Sequence, residues 1–273
     1  MSKSDTPDAE RLPLTVTIIA KDEAERLPRV LAAVGFAAEV IVLDSGSNDG
    51  TPELAEAAGA RVLRTDWPGY GQQKARAERA ATHDWILNLD ADEIVTPALA
   101  AEIRALFADH GDAPPHACYR LRILNLYPGD EAPRPLANDY VVVRLYDRRR
   151  AGYREHALFD RVILKDGATA GTLRAPVHHI PFLTWAALVE KENRYTSYVA
   201  RTARPRGRYA LLLRLPFEMP FVFLKVWLIR RHVTGGWKGF AFALVVAFAR
   251  TLRIIKLLET AGRGPHGGGP VEK

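Results

Sequence analysis

The first third of the chain alternates short apolar runs with segments of helical periodicity. The apolar runs are rich in β-branched side chains and are typical of buried parallel strands. Strands are predicted at 14–19, 39–43, 60–64 and 84–90, and helices at 23–34, 51–58 and 70–82. This alternation predicts an α/β fold of the doubly wound, Rossmann-like type, with helices on both faces of the sheet.

The pattern changes from residue 116 onward. Residues 118–127 and 140–147 alternate apolar and polar side chains, as half-exposed antiparallel strands do, so the sheet is predicted to be mixed. A proline-rich loop at 128–139 joins them. Further elements are predicted at 158–164 (strand), 177–180 (strand) and 184–203 (helix).

The C-terminal region is apolar and basic. Residues 209–233 are interrupted by prolines and charges, and residues 237–258 carry four cations within about a third of the helical circle. These cations are Lys238, Arg250, Arg253 and Lys256. Neither segment has the ~18 uncharged apolar residues in a row that a membrane span needs. We interpret both as amphipathic helices on a membrane surface, with helices packed on the domain, charged face to solvent, as the alternative.

Composition and charge narrow the function classes. With 273 residues and 48% hydrophobic content, the chain can form one sizeable core and an appendage. Its single cysteine, Cys118, excludes an internal disulfide, and the polar N-terminus has no apolar signal region, so we expect a cytoplasmic protein. The net charge is +6, and twelve Lys and Arg but one acid, Glu218, lie between residues 201 and 256. Because these cations alternate with aliphatic runs, a membrane surface is favoured over nucleic acid.

Acidic residues follow the predicted parallel strands. They are Asp22 and Glu23 after the first strand, Asp44 after the second, and Asp90, Asp92 and Glu93 after the fourth. Ligands of open α/β sheets bind beyond these strand ends. Three carboxylates in one place repel unless a cation shares the site, and an Asp-x-Asp pair can hold a hard divalent ion with a diphosphate. An N-cap cluster for the helix near Pro97 is the alternative.

Four motifs carry a family resemblance: IIAKDE (18–23), VIVLDSGSNDGT (40–51), WPGYGQQKARA (67–77) and WILNLDADE (85–93). They resemble the GT-A domain of family 2 glycosyltransferases, most closely the lipopolysaccharide core β-glycosyltransferases of the KdtX/WaaE type. The resemblance covers about residues 14–200. It implies a GT-A fold and inverting transfer of a sugar from a nucleotide sugar, with Mg²⁺ or Mn²⁺ as cofactor.

The resemblance also implies a donor site. Its nucleotide-sugar-binding residues would be Lys21, Glu23, Asp44, Ser45, Lys74 and Asp90. Asp44 would accept a hydrogen bond from the base and Glu23 from ribose hydroxyls, since ionised carboxylates only accept. Lys74 would face the diphosphate or the donor sugar, and an exposed helix lysine is the alternative.

The metal ligands implied by the resemblance are Asp92 and a histidine. His179 is favoured over His178 because it lies twelve residues before Lys191, as the family pattern requires. A neutral imidazole is a reasonable ligand beside a carboxylate.

Inverting transfer needs a base that takes the proton of the acceptor hydroxyl. The stretch HALFDRV matches the family's catalytic segment and makes Asp160 the base, with Glu93 or Glu155 in a shifted alignment. A surface ion pair is the alternative for Asp160. Phe159 stands where the family has histidine, and Lys-Asp-Glu stands where Lys-Asn-Glu is common, so the donor specificity is open.

These features together predict an inverting glycosyltransferase that uses UDP-glucose and a lipid-linked saccharide acceptor such as the lipopolysaccharide inner core. It would lie on the cytoplasmic face of the inner membrane, with its basic C-terminus against anionic lipids. The alternatives are a polyprenyl-phosphate glycosyltransferase and a membrane-docked nucleotide-sugar-binding protein without turnover. The predicted domains are a flexible N-terminus (1–13), a GT-A domain (14–205), membrane-associating helices (206–260) and a disordered tail (261–273).

Overall fold

The computed structural model describes residues 11–154, 161–165, 167–202 and 207–261. Their contacts divide into two compact units. The first unit comprises the chain up to Asn125 together with Asp139–Ile180. The second comprises Leu126–Asn138 together with the chain from Pro181 onward.

The first unit is built on an eight-stranded mixed sheet. The strands of the unit are β1 (Leu12–Ala20), β2 (Ala37–Asp44), β3 (Arg61–Arg64), β4 (Trp85–Asp90), β5 (Glu93–Val95), β6 (Cys118–Asn125), β7 (Asp139–Asp147), β8 (Ala151–Tyr153), β9 (Val162–Leu164) and β10 (Ala170–His179). The order across the sheet is β3-β2-β1-β4-β7-β6-β10-β5, and β8 and β9 form a separate antiparallel pair. Strands β3, β2, β1 and β4 are parallel, whereas β7 is antiparallel to both β4 and β6. The predicted mixed sheet is confirmed.

Helices cover both faces of this sheet, as predicted. They are α1 (Leu27–Ala32), α2 (Thr51–Ala57), α3 (Tyr70–Ala80) and α4 (Pro97–His110). Leu27, Ala55 and Leu99 of α1, α2 and α4 belong to one buried cluster. Ala77 of α3 packs with Ile86 in the cluster on the other side. Because β1 and β4 are buried on both faces, most of their side chains are apolar, and the polar ones among them, such as Thr17 and Asn88, are buried as well.

The first helix is shorter than predicted. The pattern indicated residues 23–34, but α1 begins at residue 27, with Pro28 in its first turn. A proline is tolerated there because its missing N–H would have no partner within the helix. The preceding residues form a turn instead, in which Glu23 N donates to Thr51 Oγ1 at 2.8 Å. This bond ties the loop after β1 to the start of α2.

A bulge in β7 breaks the predicted alternation. Tyr119 of β6 pairs with Leu145, but the next residue, Arg120, pairs with Val143, so Arg144 has no residue opposite it. An extra residue in one strand turns its side chain away from the regular pattern. Arg144 is consequently buried, at 6% exposure, in a strand predicted to expose its polar side chains.

The second unit is helical. Its elements are α5 (Trp185–Thr202), α6 (Arg208–Leu224), a π-helical turn (Lys225–Ile229), a 3-10 turn (His232–Gly235) and α7 (Gly236–Ala261). One buried cluster joins Leu211 to Ile254, and another joins Val222 to Ala247, so α6 and α7 pack along their lengths. Within the described ranges, no helix has the length and apolar character that a membrane span requires.

The basic side of α7 is bound within its own unit. Lys256 Nζ lies 2.7 Å from Asn193 Oδ1, and Lys238 forms an ion pair with Asp130. The exposed large hydrophobic side chains of α7 are Trp237, Phe240, Leu244, Phe248 and Ile255. These ammonium groups therefore find acceptors inside the unit, and the choice between a membrane-surface helix and a helix packed on the domain stays a prediction.

Candidate active site

A cavity of about 330 Å³ lies at the carboxyl ends of the parallel strands. It is lined by Ile19, Ala20, Lys21, Glu23, Trp67, Tyr70, Asp90, Ala91, Asp92 and His179. Lys21 follows β1 and Asp90 ends β4, and both strand ends share one edge because these strands are parallel neighbours. Five residues that the sequence predicted for the site thus surround one cavity: Lys21, Glu23, Asp90, Asp92 and His179.

His179 meets Asp92 at this edge. Its Nε2 lies 3.2 Å from Asp92 Oδ2, and its Nδ1 lies 2.8 Å from the side-chain oxygen of Asn125. The two ring nitrogens of His179 therefore contact two oxygen atoms, one from the Asp92 carboxylate and one from the Asn125 amide. One carboxylate with one imidazole is a donor set that divalent ions accept. His178, the other predicted candidate, points to the opposite face of the strand.

Asp90 lies between two buried cations. Lys74 Nζ is 3.0 Å from its Oδ1, and Arg144 Nη2 is 2.7 Å from its Oδ2. Burial raises the pKa of Asp90, but the charges of Arg144 and Lys74 outweigh burial and hold this pKa below its usual range. Asp90 is therefore a firmly ionised carboxylate that faces the cavity.

Two outcomes of this arrangement differ from the sequence analysis. Lys74 is 1% exposed, so the alternative of a solvated helix lysine is wrong. Arg144 was not predicted at all, although it also pairs with the buried Glu93 at 2.5 Å. The available signal was a charged residue within an apolar strand, which must find opposite charge when buried.

Glu23 is bound by Arg26, a second residue that the sequence analysis missed. Nε and Nη2 of Arg26 donate to the two Glu23 carboxylate oxygens at 2.6 Å each, and Nη1 is 3.7 Å from Asp92 Oδ2. Burial is the largest influence on the Glu23 carboxyl and raises its pKa despite the charge of Arg26. The (i, i+3) spacing of the pair was the signal that could have found it.

The loop after β2 is built around Asp44. Its Oδ2 accepts from the backbone N–H groups of Gly46 and Ser47, at 3.0 and 3.1 Å. Its Oδ1 is buried and has no hydrogen-bond partner within the described residues. The adjacent Ser45 Oγ accepts from Gln73 Nε2 at 2.8 Å, which fixes the loop against α3. Because a buried carboxylate oxygen without a donor is unfavourable, Oδ1 is suited to a ligand N–H or O–H.

Two aromatic side chains line the 330 Å³ cavity described above. Trp67 and Tyr70 meet edge to face, with ring centroids 4.8 Å apart, and are 46% and 54% exposed. Gly69, with φ of 133°, lets the chain turn between them into α3. Exposed rings beside acidic groups offer flat apolar surface to a ring-shaped ligand. The sequence pattern alone predicted no role for either ring.

The proposed base lies outside the described residues. This holds for Asp160 and for Glu155 and Phe159, so their assignment stays a prediction. Glu93, the other substitute, is 1% exposed, and its carboxylate accepts from Asp90 N and from Arg144. These bonds hold Glu93 against Arg144, and its role as a substitute base stays a prediction.

Comparison with known proteins identifies the family. The family model described as "Glycosyl transferase family 2" matches residues 15–172. The chain is 36% identical over 255 residues to an uncharacterized glycosyltransferase of Rickettsia felis, covering 90% of each chain. It is 27% identical over 255 residues to the lipopolysaccharide core biosynthesis glycosyltransferase LpsC of Rhizobium meliloti, covering 91% of this chain and 93% of that protein.

Among solved structures, the chain resembles residues 1–349 of TarS from S. aureus, with a TM-score of 0.46 and 14% identity over 91% of this chain and 90% of that one. The mixed sheet with helices on both faces is a GT-A-like α/β fold. The match to the family model and the extended identity to the Rickettsia felis protein agree with this architecture. The chain belongs to glycosyl transferase family 2.

Proposed function

We propose that the protein is a metal-dependent, inverting glycosyltransferase that moves glucose from UDP-glucose to a lipid-linked saccharide, in the manner of the KdtX/WaaE type. The observation that carries this proposal is the Asp92–His179 pair. Asp92 Oδ2 and His179 Nε2 are 3.2 Å apart, and both residues border the same cavity as the ionised Asp90. Such an edge is where open α/β sheets bind nucleotides.

The donor nucleotide would be recognised by the loops after β1 and β2. Asp44 Oδ1, buried and without a partner in the described ranges, would accept from the base. Glu23 would accept from ribose hydroxyls with the lone pairs that Arg26 leaves open, since each carboxylate oxygen has two. Lys21 would meet the diphosphate as a cation, and Ser45 would contribute its hydroxyl.

Asp92 and His179 would hold Mg²⁺ or Mn²⁺. Within the described residues, no group of three or more His, Cys, Asp or Glu side chains could hold an ion. We therefore assign the remaining ligand positions to the donor diphosphate and water. The ion would neutralise the negative charge that develops on the departing nucleoside diphosphate.

Asp90 would orient the donor sugar by accepting from its hydroxyl groups. Lys74 is buried against Asp90, so it would serve the donor indirectly by keeping this carboxylate ionised. Arg144 has the same effect from the opposite side. A carboxylate fixed by two cations loses little entropy on binding, which favours one orientation of the sugar.

Asp160 would act as the base. It would take the proton of the acceptor hydroxyl while that oxygen bonds to the anomeric carbon of the donor and the bond to the diphosphate breaks. Because attack and departure occur on opposite faces of the sugar, the anomeric configuration inverts.

The acceptor class rests on two observations. LpsC, which is 27% identical to this chain over most of both proteins, is named for lipopolysaccharide core biosynthesis. The second unit, taken by itself, exposes large apolar side chains on α6, among them Leu213 at 74%, Phe217 at 65% and Phe221 at 64%. An apolar face of this kind suits insertion into a lipid surface.

Charge supports the same partner. Exposed cations accompany the apolar face, namely Arg208, Lys225, Arg230 and Arg231. Glu218 is the sole acid between residues 207 and 258, and it is 2% exposed and bound by Arg214. Anionic lipids attract such a surface. We therefore assign the enzyme to the cytoplasmic face of the inner membrane, as a peripheral protein.

A thermal-shift screen of nucleotide sugars tests the donor site. We expect UDP-glucose to raise the melting temperature with MnCl₂ present and to do so much less without it. Stabilisation by UDP-glucose that ignores the metal would contradict the metal site. Failure of every nucleotide sugar to stabilise the protein would contradict the function.

A transfer assay with two acceptors separates the alternatives. Product from core-oligosaccharide lipid supports the proposal, whereas product from polyprenyl phosphate alone would reassign the acceptor. Donor binding without turnover on either acceptor would favour a nucleotide-sugar-binding protein. Transfer that is unchanged in both Asp92→Asn and Asp160→Asn would contradict the mechanism.

A further inference from the structure

A larger cavity, of about 630 Å³, shares Asp90 with the cavity described above. It is bordered by β7, the β8–β9 pair and β6, all within the first unit. Its volume is in the range of pockets that bind small molecules, roughly 300–1,000 Å³. Because Asp90 borders both cavities, a molecule in the larger one would lie next to a donor sugar held by Asp90 as proposed above.

Three arginines line this larger cavity, and they differ in how they are neutralised. Arg144 is bound by Asp90 and Glu93. Arg120 and Arg161 are exposed, and neither forms an ion pair with any residue in the described ranges. Two cations on one cavity wall, without partners of opposite charge there, are suited to an anionic ligand.

A neighbouring arginine outside the cavity, Arg122, does have an acidic partner. Arg122 lies two positions after Arg120 on β6 and therefore on the same face of that strand. Its Nε donates to Asp139 Oδ2 at 2.6 Å, and it does not line the cavity. The strand thus carries one arginine bound by an internal acid and one directed to the cavity wall.

Two tyrosines add surface for a sugar. Tyr153 donates its hydroxyl to Asn88 Oδ1 at 3.0 Å, which fixes its ring at the cavity wall. Tyr140 is 42% exposed on the same wall. A phenol ring presents an apolar face and a polar tip, and both match the mixed surface of a saccharide.

We propose that this cavity binds the acceptor saccharide through an anionic group, a phosphate or a carboxylate, that pairs with Arg120 and Arg161. This inference rests on the proposed function, since an acceptor presupposes sugar transfer. It adds the charge of the acceptor and the residues that select it. A neutral saccharide would supply neither guanidinium group with a counterion.

The test is a ligand-observed NMR titration of the full chain with UDP and the diamagnetic MgCl₂ present, so that the donor cavity is filled. The probes are glucose 6-phosphate, glucuronate and glucose. We expect at least one charged probe to bind more tightly than glucose, and the tighter of the two identifies the anionic group. The double variant Arg120→Gln/Arg161→Gln should raise the Kd of that probe about tenfold. This is the loss of affinity expected when a charge-assisted hydrogen bond is removed. Arg122→Gln is the matched control and should leave this Kd unchanged.

Three outcomes would overturn the inference: equal binding of charged and neutral probes, binding of none, or an unchanged Kd in the double variant. An Arg122→Gln effect as large as that of the double variant would also overturn it. UDP binding, measured on the same samples, separates this failure from that of the proposed function. If UDP binds and the charged probes are not preferred, only the acceptor inference fails, whereas absence of UDP binding contradicts the function itself.

Discussion

Lys74 Nζ lies 3.0 Å from Asp90 Oδ1, and the lysine side chain has no access to solvent. A buried ammonium group is stable only when opposite charge compensates it. Asp90 provides that charge and in return has a pKa held below its usual range by Arg144 and Lys74, against the effect of burial. The pair thus contributes both to folding and to the charge of the site.

Removing the lysine charge should affect stability and activity together. We expect Lys74→Met to lower the free energy of unfolding by roughly 2 kcal/mol, because Asp90 loses a charged hydrogen-bond partner. The pKa of Asp90 should rise as well, and transfer should slow. Urea denaturation and the transfer assay measure the two effects. Arg76→Gln, on the same helix but in a surface pair with Asp66, is the control and should leave both nearly unchanged.

The two adjacent histidines should differ in metal binding. His179→Gln should weaken Mn²⁺ binding in the presence of UDP at least about tenfold, because it removes one of two protein ligands. His178→Gln, which alters the opposite face of the strand, should leave Mn²⁺ binding as it is. An electron paramagnetic resonance titration of free Mn²⁺ gives both affinities. Equal effects of the two substitutions would show that Asp92 and His179 do not hold the ion.

The exposed apolar face of α6 should govern membrane binding. The double variant Phe217→Glu/Phe221→Glu should reduce co-sedimentation with vesicles containing phosphatidylglycerol about tenfold or more. The reason is that it removes two aromatic side chains that would insert into the lipid. Leu54→Glu, at an exposed position on α2, is the control. If the double variant sediments like the wild type, the face does not bind lipid. If it instead abolishes self-association in ultracentrifugation, the face contacts a second copy of the chain.

His232 should make the stability of the second unit pH-dependent. Burial, with the charges of Arg134 and Arg230, lowers the pKa of His232 from 6.5 to about 4. The folded state therefore binds a proton less readily than the unfolded state, so stability is full above pH 6.5 and falls as the pH decreases toward 4.

Melting temperatures measured from pH 8 to pH 4 test this expectation. The wild type should lose more stability than His232→Gln as the pH falls below 6.5. His110→Gln, at an exposed position of α4, should give a curve parallel to that of the wild type. Parallel curves for the wild type and His232→Gln would assign the acid sensitivity to other groups.

The sequence by itself determined the sheet and the edge that carries the site. Continuous apolar runs require strands buried on both faces, and parallel neighbours bring their carboxyl ends to one edge. Lys21, Glu23, Asp90 and Asp92 follow such strand ends, so their convergence on one cavity was predictable. His179 was reached through the family pattern, and it joins the same cavity from β10.

Only the tertiary structure decided which charged groups are buried and with which partners. Arg144 enters the site because β7 has a bulge, and a pattern of period two cannot foresee an extra residue. The periodicity of α7 identified two faces but not their directions. Asp130 and Asn193 bind Lys238 and Lys256 from distant parts of the chain, and α7 has apolar side chains both in the buried contact with α6 and on the exposed surface. Long-range pairing of charges, which depends on partners far apart in sequence, decided both features.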